Sequence, residues 1–439
     1  MELFPRFAGP AFVRARNHAI LDVDAEIPQV NPVIVLRAML SLSLAMALAC
    51  CSSGPKPQWL MPTPQIYQDG GINPFAKLPA PKRSTVMPVY FATNRDHTNR
   101  YFGANERTEL SYGIAHVGMG GEQTGWPQLL RASTDGLRPD PLPLRLVDSP
   151  QSLPAKATRD PADWLKHLDQ STRRTRSRDV VIYVHGAKVE FFHSCAFAAE
   201  LAHFSGRDLT PVAFDWPTHP EVYSYLLRVD LAHGIHSAKR LADLVRLVAE
   251  DTNTRRIHLV SWSAGARVLS RAMVHLAAGD AENVRARYRI GSCVFAASDV
   301  PEKDFIERLP AIHGLSERVT VYQSDEDGAL VWASRLMGGG KRLGLEMGAP
   351  TPEEIRMLHQ HPRLQLIDCS WEKEKRGFDI SGHRYWYQHP WVSSDLMLSL
   401  LTSASPTRRG LAPGPEKGIY YFGPDYGARI GPIARELAR

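Results

Sequence analysis

Cysteine is scarce, with five residues in a chain of 439. That count excludes a disulfide-stapled scaffold, and no cysteines stand at the spacing of a zinc site. No lysine or arginine run is interleaved with aromatics, although the formal net charge is +6. The densest basic stretch, "STRRTRSRD" (171–179), precedes an apolar strand and reads as a solvated linker, so nucleic acid is not an expected partner. No G-x-G-x-x-G follows a strand and no Walker loop is present, so no cofactor or metal is expected. There is no internal repeat. No apolar run reaches the roughly 20 residues that span a bilayer. What remains is 44% hydrophobic and 22% charged, a globular composition long enough for one large α/β domain with extensions.

One apolar run near the N-terminus carries information. "VIVLRAMLSLSLAMALACCSSG" (33–54) has a single arginine, Arg37, then small and apolar residues up to Cys50 and Cys51. It has the size of a secretory h-region and resembles a bacterial lipoprotein signal, with alanine where leucine usually stands three residues before the cysteine. That resemblance implies Cys50 as the lipidated residue, with Cys51 as the alternative, and a membrane tether through the N-terminal lipid. The following "CSSG" lacks aspartate, which by the same resemblance points to the periplasmic side of the cell envelope, at the outer membrane. Residues 1–51 are thus an extension plus signal, and 52–84, rich in Pro, Gly, Ser and Gln, read as a flexible tether. Cys195, Cys293 and Cys369 are left, an odd number, and read as buried free thiols; one disulfide is the alternative.

Residues 85–403 read as the folded domain. "TVMPVYFATNR" (85–95) and "LSYGIAHVGM" (110–119) are strand-like. From 179 onward strands and helices alternate: "DVVIYVHG" (179–186), a helix from 191, "TPVAFDWP" (210–217), a long helix from 229 to 251, "RRIHLVSWS" (255–263), and so on to "RLQLIDCS" (363–370) and a last helix at 391–403. Successive βα units require crossovers, so the expected architecture is a mostly parallel central sheet flanked by helices on both faces. Residues 404–439, rich in Gly and Pro, read as an irregular tail.

Within "HLVSWSAGARVL" (258–269), a strand meets Ser263 and then turns helical. A nucleophile elbow needs this turn, with small residues two before and two after the serine. Ser261 and Gly265 fill those positions. A serine also needs a base and an acid, in the chain order Ser, acid, His. Asp327, Asp299 and Asp325 are the candidate acids, each at the C-terminal end of a strand, where α/β sites assemble. His383, after Gly382 in the loop before the last helix, is the candidate base, and His389 is the runner-up. His359 and His361 precede the last strand and fall on the wrong edge. Two backbone N–H groups would form an oxyanion hole: that of Ala264, and that of Ala187 after the His185–Gly186 turn. Lys188, beside them, reads as solvent-facing.

Taken together, "VYFATNR", "SYGIAHV", "VIYVHG", "PVAFDWPT", Tyr225 with Asp230, "SWSAG", "AASDV", "VYQSDEDGALVWASR", "RLG" (342–344) and "GHRYW" resemble a bacterial α/β-hydrolase family of unknown function, esterase- or lipase-like. The resemblance spans about residues 87–401. It implies the α/β-hydrolase fold, a Ser263–Asp327–His383 triad, and cleavage of a small-molecule or lipid-like ester or thioester. The chain departs from the family at Ala187–Lys188, where an aromatic and asparagine are usual, and at Trp262, where histidine is usual. A non-catalytic envelope lipoprotein on the same scaffold, or an amidase or peptidase with the same triad, are the competing functions.

Overall fold

The computed structural model describes residues 57–437 except 69–70, 99–100, 137, 139, 222–223, 226–227, 279–282, 339, 346–347 and 371–381. The stretch that resembles a lipoprotein signal, with Cys50 and Cys51, lies outside the described residues. The strands are β1 (Gln58–Trp59), β2 (Val86–His97), β3 (Phe102–Met119), β4 (Pro143–Leu146), β5 (Asp179–Val184), β6 (Leu209–Asp215), β7 (Arg256–Trp262), β8 (Ile290–Ala296), β9 (Ser316–Gln323), β10 (Leu364–Asp368), β11 (Ala412–Pro413) and β12 (Ile419–Tyr421). The longer helices are α1 (Trp126–Thr134), α2 (Ala162–Arg173), α3 (Phe191–Phe204), α4 (Val229–Asp251), α5 (Gly265–Ala277), α6 (Glu302–Leu315), α7 (Gly328–Met337), α8 (Pro352–Gln360), α9 (Pro390–Leu401) and α10 (Tyr426–Leu437).

All twelve strands join one sheet in the order β1-β4-β3-β2-β6-β5-β7-β8-β9-β10-β12-β11. From β2 through β12 the neighbours run parallel; the hairpin-like pairs at the two ends are antiparallel. The unbroken apolar run of β5 is explained by burial on both faces. Val180, Ile182 and Val184 pack into one core, and Val181 and Tyr183 into the other. The amphipathic faces of α4 and α5 close the first core, and α3 and α9 close the second. This is the mostly parallel, helix-flanked sheet expected from the alternation, as the family resemblance also implies.

The order β6-β5-β7 places the site. After β5 the chain steps to one side, then returns to the other, so the loops leaving β5 and β7 diverge from neighbouring strand ends. A crevice opens at such a switch point. Val184 pairs with Ser261, which sets Gly186 beside Ser263.

Two expectations need correction. The stretch read as a tether is packed from Gln58 onward: Leu60, Met61, Ile66, Tyr67, Phe75 and Leu78 are all buried. Scattered among prolines, these anchors have no period, so composition alone mimics a linker. The tail is likewise built into the fold. β12 extends the parallel sheet beside β10, and Tyr426, Ile430 and Ala434, on one face of α10, are buried. Arg409 is buried with Asp395, their Nε–Oδ1 distance being 2.7 Å, and Tyr322 donates to the other carboxylate oxygen at 2.8 Å. Helix α1 stands between β3 and β4. Cys195, Cys293 and Cys369 are buried free thiols.

Two predictions follow from these anchors. Removing one partner of a buried ion pair leaves the other charge uncompensated, so Arg409→Ala should cost about 3–5 kcal/mol in denaturant unfolding. The exposed neighbour Arg408, replaced in the same way, should cost less than about 1 kcal/mol. Glu200 of α3 accepts hydrogen bonds from Gln58 Nε2 and Met61 N–H, and burial pushes its carboxyl up to about 8 from 4.5. Its contribution to stability is therefore full below about pH 4.5 and lost as pH rises through about 8, because the unfolded chain sheds the proton first. Glu200→Gln should gain stability relative to wild type between about pH 5 and 8. A pH-independent difference in urea unfolding would refute this.

Candidate active site

Ser263 holds φ at +52°. For a residue with a side chain this conformation costs on the order of 1–3 kcal/mol and persists only where surroundings enforce it. Here they do. Its N–H donates to Ala296 O at 3.0 Å, and its carbonyl accepts from Ala266 and Asp299, both at 3.1 Å. Gly265 has no room for a side chain, since a Cβ would stand 2.4 Å from Val184 O and 2.5 Å from His185 O. At the other small position, Ser261 is buried and donates to Val294 O at 3.0 Å, so a hydroxyl replaces the usual glycine without an unpaired group.

The β5 loop presses on the serine from the side. A Cβ on Gly186 would lie 2.9 Å from Ser263 Cβ. His185 before it is locked: its ring stacks on Trp216, Nδ1 lies 2.8 Å from Gly186 O, and Nε2 lies 3.2 Å from Asp215 Oδ1. Asp215 is also bridged to Arg95 at 2.7 Å. Burial works against the Asp215 charge, yet Arg95 and His185 outweigh it and hold its carboxyl below the ordinary value. Ala264 is buried at the start of α5, and Ala187 is half-buried after the turn. Among the described residues, neither backbone N–H donates to another backbone carbonyl. Lys188 is exposed, as read, with φ at +60°.

Asp327 is fully buried at the start of α7. Its Oδ1 caps the helix by accepting from Leu330 N–H at 3.1 Å. The same carboxylate meets His383 Nδ1, at 2.7 Å through Oδ2 and 3.0 Å through Oδ1. Gly382 makes this contact feasible. Its φ is +63°, and a Cβ would lie 2.3 Å from Glu326 O. The His383 carbonyl accepts from Trp262 Nε1 at 3.3 Å, and the two rings stand 5.5 Å apart. His383 and Asp327 are thus paired, and the histidine rests on the residue immediately before Ser263. Phe197, Trp386 and Tyr387 continue the aromatic wall around Trp262.

The other candidates take different places. Asp299 is claimed by other partners. It pairs with Arg342 Nε at 2.8 Å and Arg267 Nε at 3.2 Å, and accepts from the Tyr225 hydroxyl. It does not cap α6, whose N-cap is Pro301. Asp325 is exposed. His389 caps α9, accepting from Trp391 N–H at 3.2 Å. His361 bonds the Met357 carbonyl at 2.9 Å at the opposite edge, and His359 is exposed there. Sequence reasoning assigned no role to Tyr225, Arg267 or Arg342, which back the elbow through Asp299. Tyr225 and 342–344 stood out only as pieces of the family pattern. Burial and the Asp299 carboxylate push the Tyr225 hydroxyl well above its usual range, so it stays a donor. Burial opposes the charge of Arg267, but Asp299 and Tyr225 hold its net shift upward.

A family model described as "Alpha/beta hydrolase of unknown function" (DUF900) matches residues 161–399, and the chain belongs to this family. No curated protein matches the chain.

A short histidine–carboxylate hydrogen bond gives a low-field proton resonance. Gly382→Ala should shift or abolish that signal, as should Asp327→Asn, while the far-ultraviolet circular dichroism stays at wild type. An unchanged resonance in Gly382→Ala would show that the glycine does not position His383.

Proposed function

We propose that this α/β hydrolase is a serine hydrolase cleaving a carboxylic ester or thioester through Ser263, His383 and Asp327. The observation that carries this reading is the Asp327–His383 pair resting on Trp262, beside a strained Ser263. With Nδ1 committed to the carboxylate, the proton of Ser263 Oγ passes to Nε2 as oxygen attacks the acyl carbon. Asp327 stabilises the imidazolium that forms. The N–H groups of Ala264 and Ala187 receive the developing oxyanion. Collapse expels the alcohol or thiol, which takes the proton from His383. Water, activated by the same histidine, then releases the acid and regenerates the serine. The part-exposed aromatics Trp262 and Tyr387 suit an apolar acyl or alcohol group.

Among the described residues no helix is long and apolar enough to cross a membrane. We place the enzyme at the cell envelope, on the periplasmic side of the outer membrane, tethered through a lipid on Cys50. The sequence pattern around Arg37 and "ALACCSSG" supports this reading.

The reading is tested by hydrolysis of p-nitrophenyl esters over a series of acyl lengths, with wild type beside Ser263→Ala. Wild type should turn over at least one ester, and the variant should lose about a thousandfold or more in kcat/KM. A fluorophosphonate should label Ser263 in wild type alone. Two inert proteins and no labelling would turn the fold into a binding scaffold.

A further inference from the structure

A second cluster with defined chemistry lies on the loop after β6. His219 follows the strand by four residues, and Asp230 and His233 lie one turn apart in the first turns of α4. One nitrogen or oxygen from each of the three lies within 4.8 Å of the others. Asp230 is fully buried and uses only Oδ1, which accepts from His219 N–H at 3.2 Å and meets His219 Nδ1 at 2.9 Å. Its Oδ2 has no partner, and neither does the buried Nδ1 of His233. The two imidazoles stand 5.7 Å apart and nearly parallel. Helix-terminal charge preference explains an aspartate here. It does not explain a buried carboxylate oxygen and an imidazole nitrogen both left unpaired, which is costly away from water.

We propose that His219, Asp230 and His233 form a binding site for a divalent transition-metal cation of the zinc class. Two imidazole nitrogens and one carboxylate oxygen are the donor set such ions take, with the remaining positions open to water. The backbone that carries the donors is already fixed. Arg95, bridged to Asp215, donates to Thr218 O at 3.1 Å, and the Thr218 hydroxyl donates to Val189 O at 2.8 Å. His219 is therefore presented from a rigid strand end, and the other two ligands from a helix. The backbone carbonyl of Pro217 also faces the His233 ring, the kind of partner that orients a metal-bound imidazole. On binding, the ion sheds water, the His219 proton that faces Asp230 moves by way of solvent to Nε2, and the freed Nδ1 lone pair enters the coordination sphere. The ion clips the β6–α4 loop to its helix. That loop also carries Tyr225, whose hydroxyl reaches Asp299 behind the elbow.

The test uses full-length protein stripped with a chelator, then dialysed against zinc chloride or cobalt chloride. Metal per chain is read by mass spectrometry, and cobalt coordination by visible absorption. Wild type should retain one ion per chain. His219→Ala and His233→Ala should retain none, with their metal-free circular dichroism and melting unchanged. His236→Ala, one turn further on and paired with Glu106 at the surface, should bind as wild type does. Zinc should also shield His219 and His233 of the wild-type chain from carbethoxylation, mapped by peptide mass. No retention by wild type, equal retention by His219→Ala or His233→Ala, or no shielding would each overturn the site.

Discussion

The site depends on one backbone conformation, the positive φ of Ser263, and that conformation depends on the sheet. Nothing local favours it. It is enforced by β8, whose Ala296 carbonyl takes the serine N–H, and by the Asp299 N–H, which takes the serine carbonyl. Gly265 lets α5 approach the end of β5, and Gly186 lets the β5 loop approach the serine. The cost of the strain, about 1–3 kcal/mol, is offset by hydrogen bonds that exist only when three parallel strands are in register. The turn is thus a property of the assembled sheet.

Around that turn the fold places two buried charge networks. Arg95, Asp215 and His185 fix the β5 loop from the β6 side. Arg342, Arg267, Tyr225 and Asp299 fix the other flank, and the segment carrying Arg342 also pins the ends of β8 and β9 through Gly344. Breaking such pairs is costly because a single charge would remain in the interior. Rigidity of the strand ends follows, which a preorganised oxyanion hole requires. In the third titratable pair Asp327 is fully buried and His383 is its slightly exposed partner.

Legibility from sequence follows the range of the interactions. Strands β5 to β10 were readable because burial on both faces leaves continuous apolar runs, and α4 and α5 because a buried stripe repeats at helical period. Ser263, Asp327 and His383 were readable as candidates because the first two follow a strand's C-terminal end, His383 lies between β10 and α9, and the three stand in the order that this architecture uses. Residues 57–84 and 404–437 were not. Their buried residues, such as Ile66, Phe75, Arg409 and Tyr426, are isolated anchors in Pro- and Gly-rich chain, and isolated anchors carry no period. The metal-type cluster was equally hidden, because His219 and Asp230 are eleven positions apart with no familiar spacing.

By itself, then, the sequence determined the layer architecture, the alternation of elements and the edge on which the reactive residue types stand, because these rest on local hydrophobic period and on chain order. Only the tertiary structure decided which carboxylate meets His383. Asp299 and Asp327 both end strands, and the difference between them is that two buried arginines claim the first while Gly382 delivers the histidine to the second. That choice is made by a contact between residues 56 positions apart, and no local pattern encodes it.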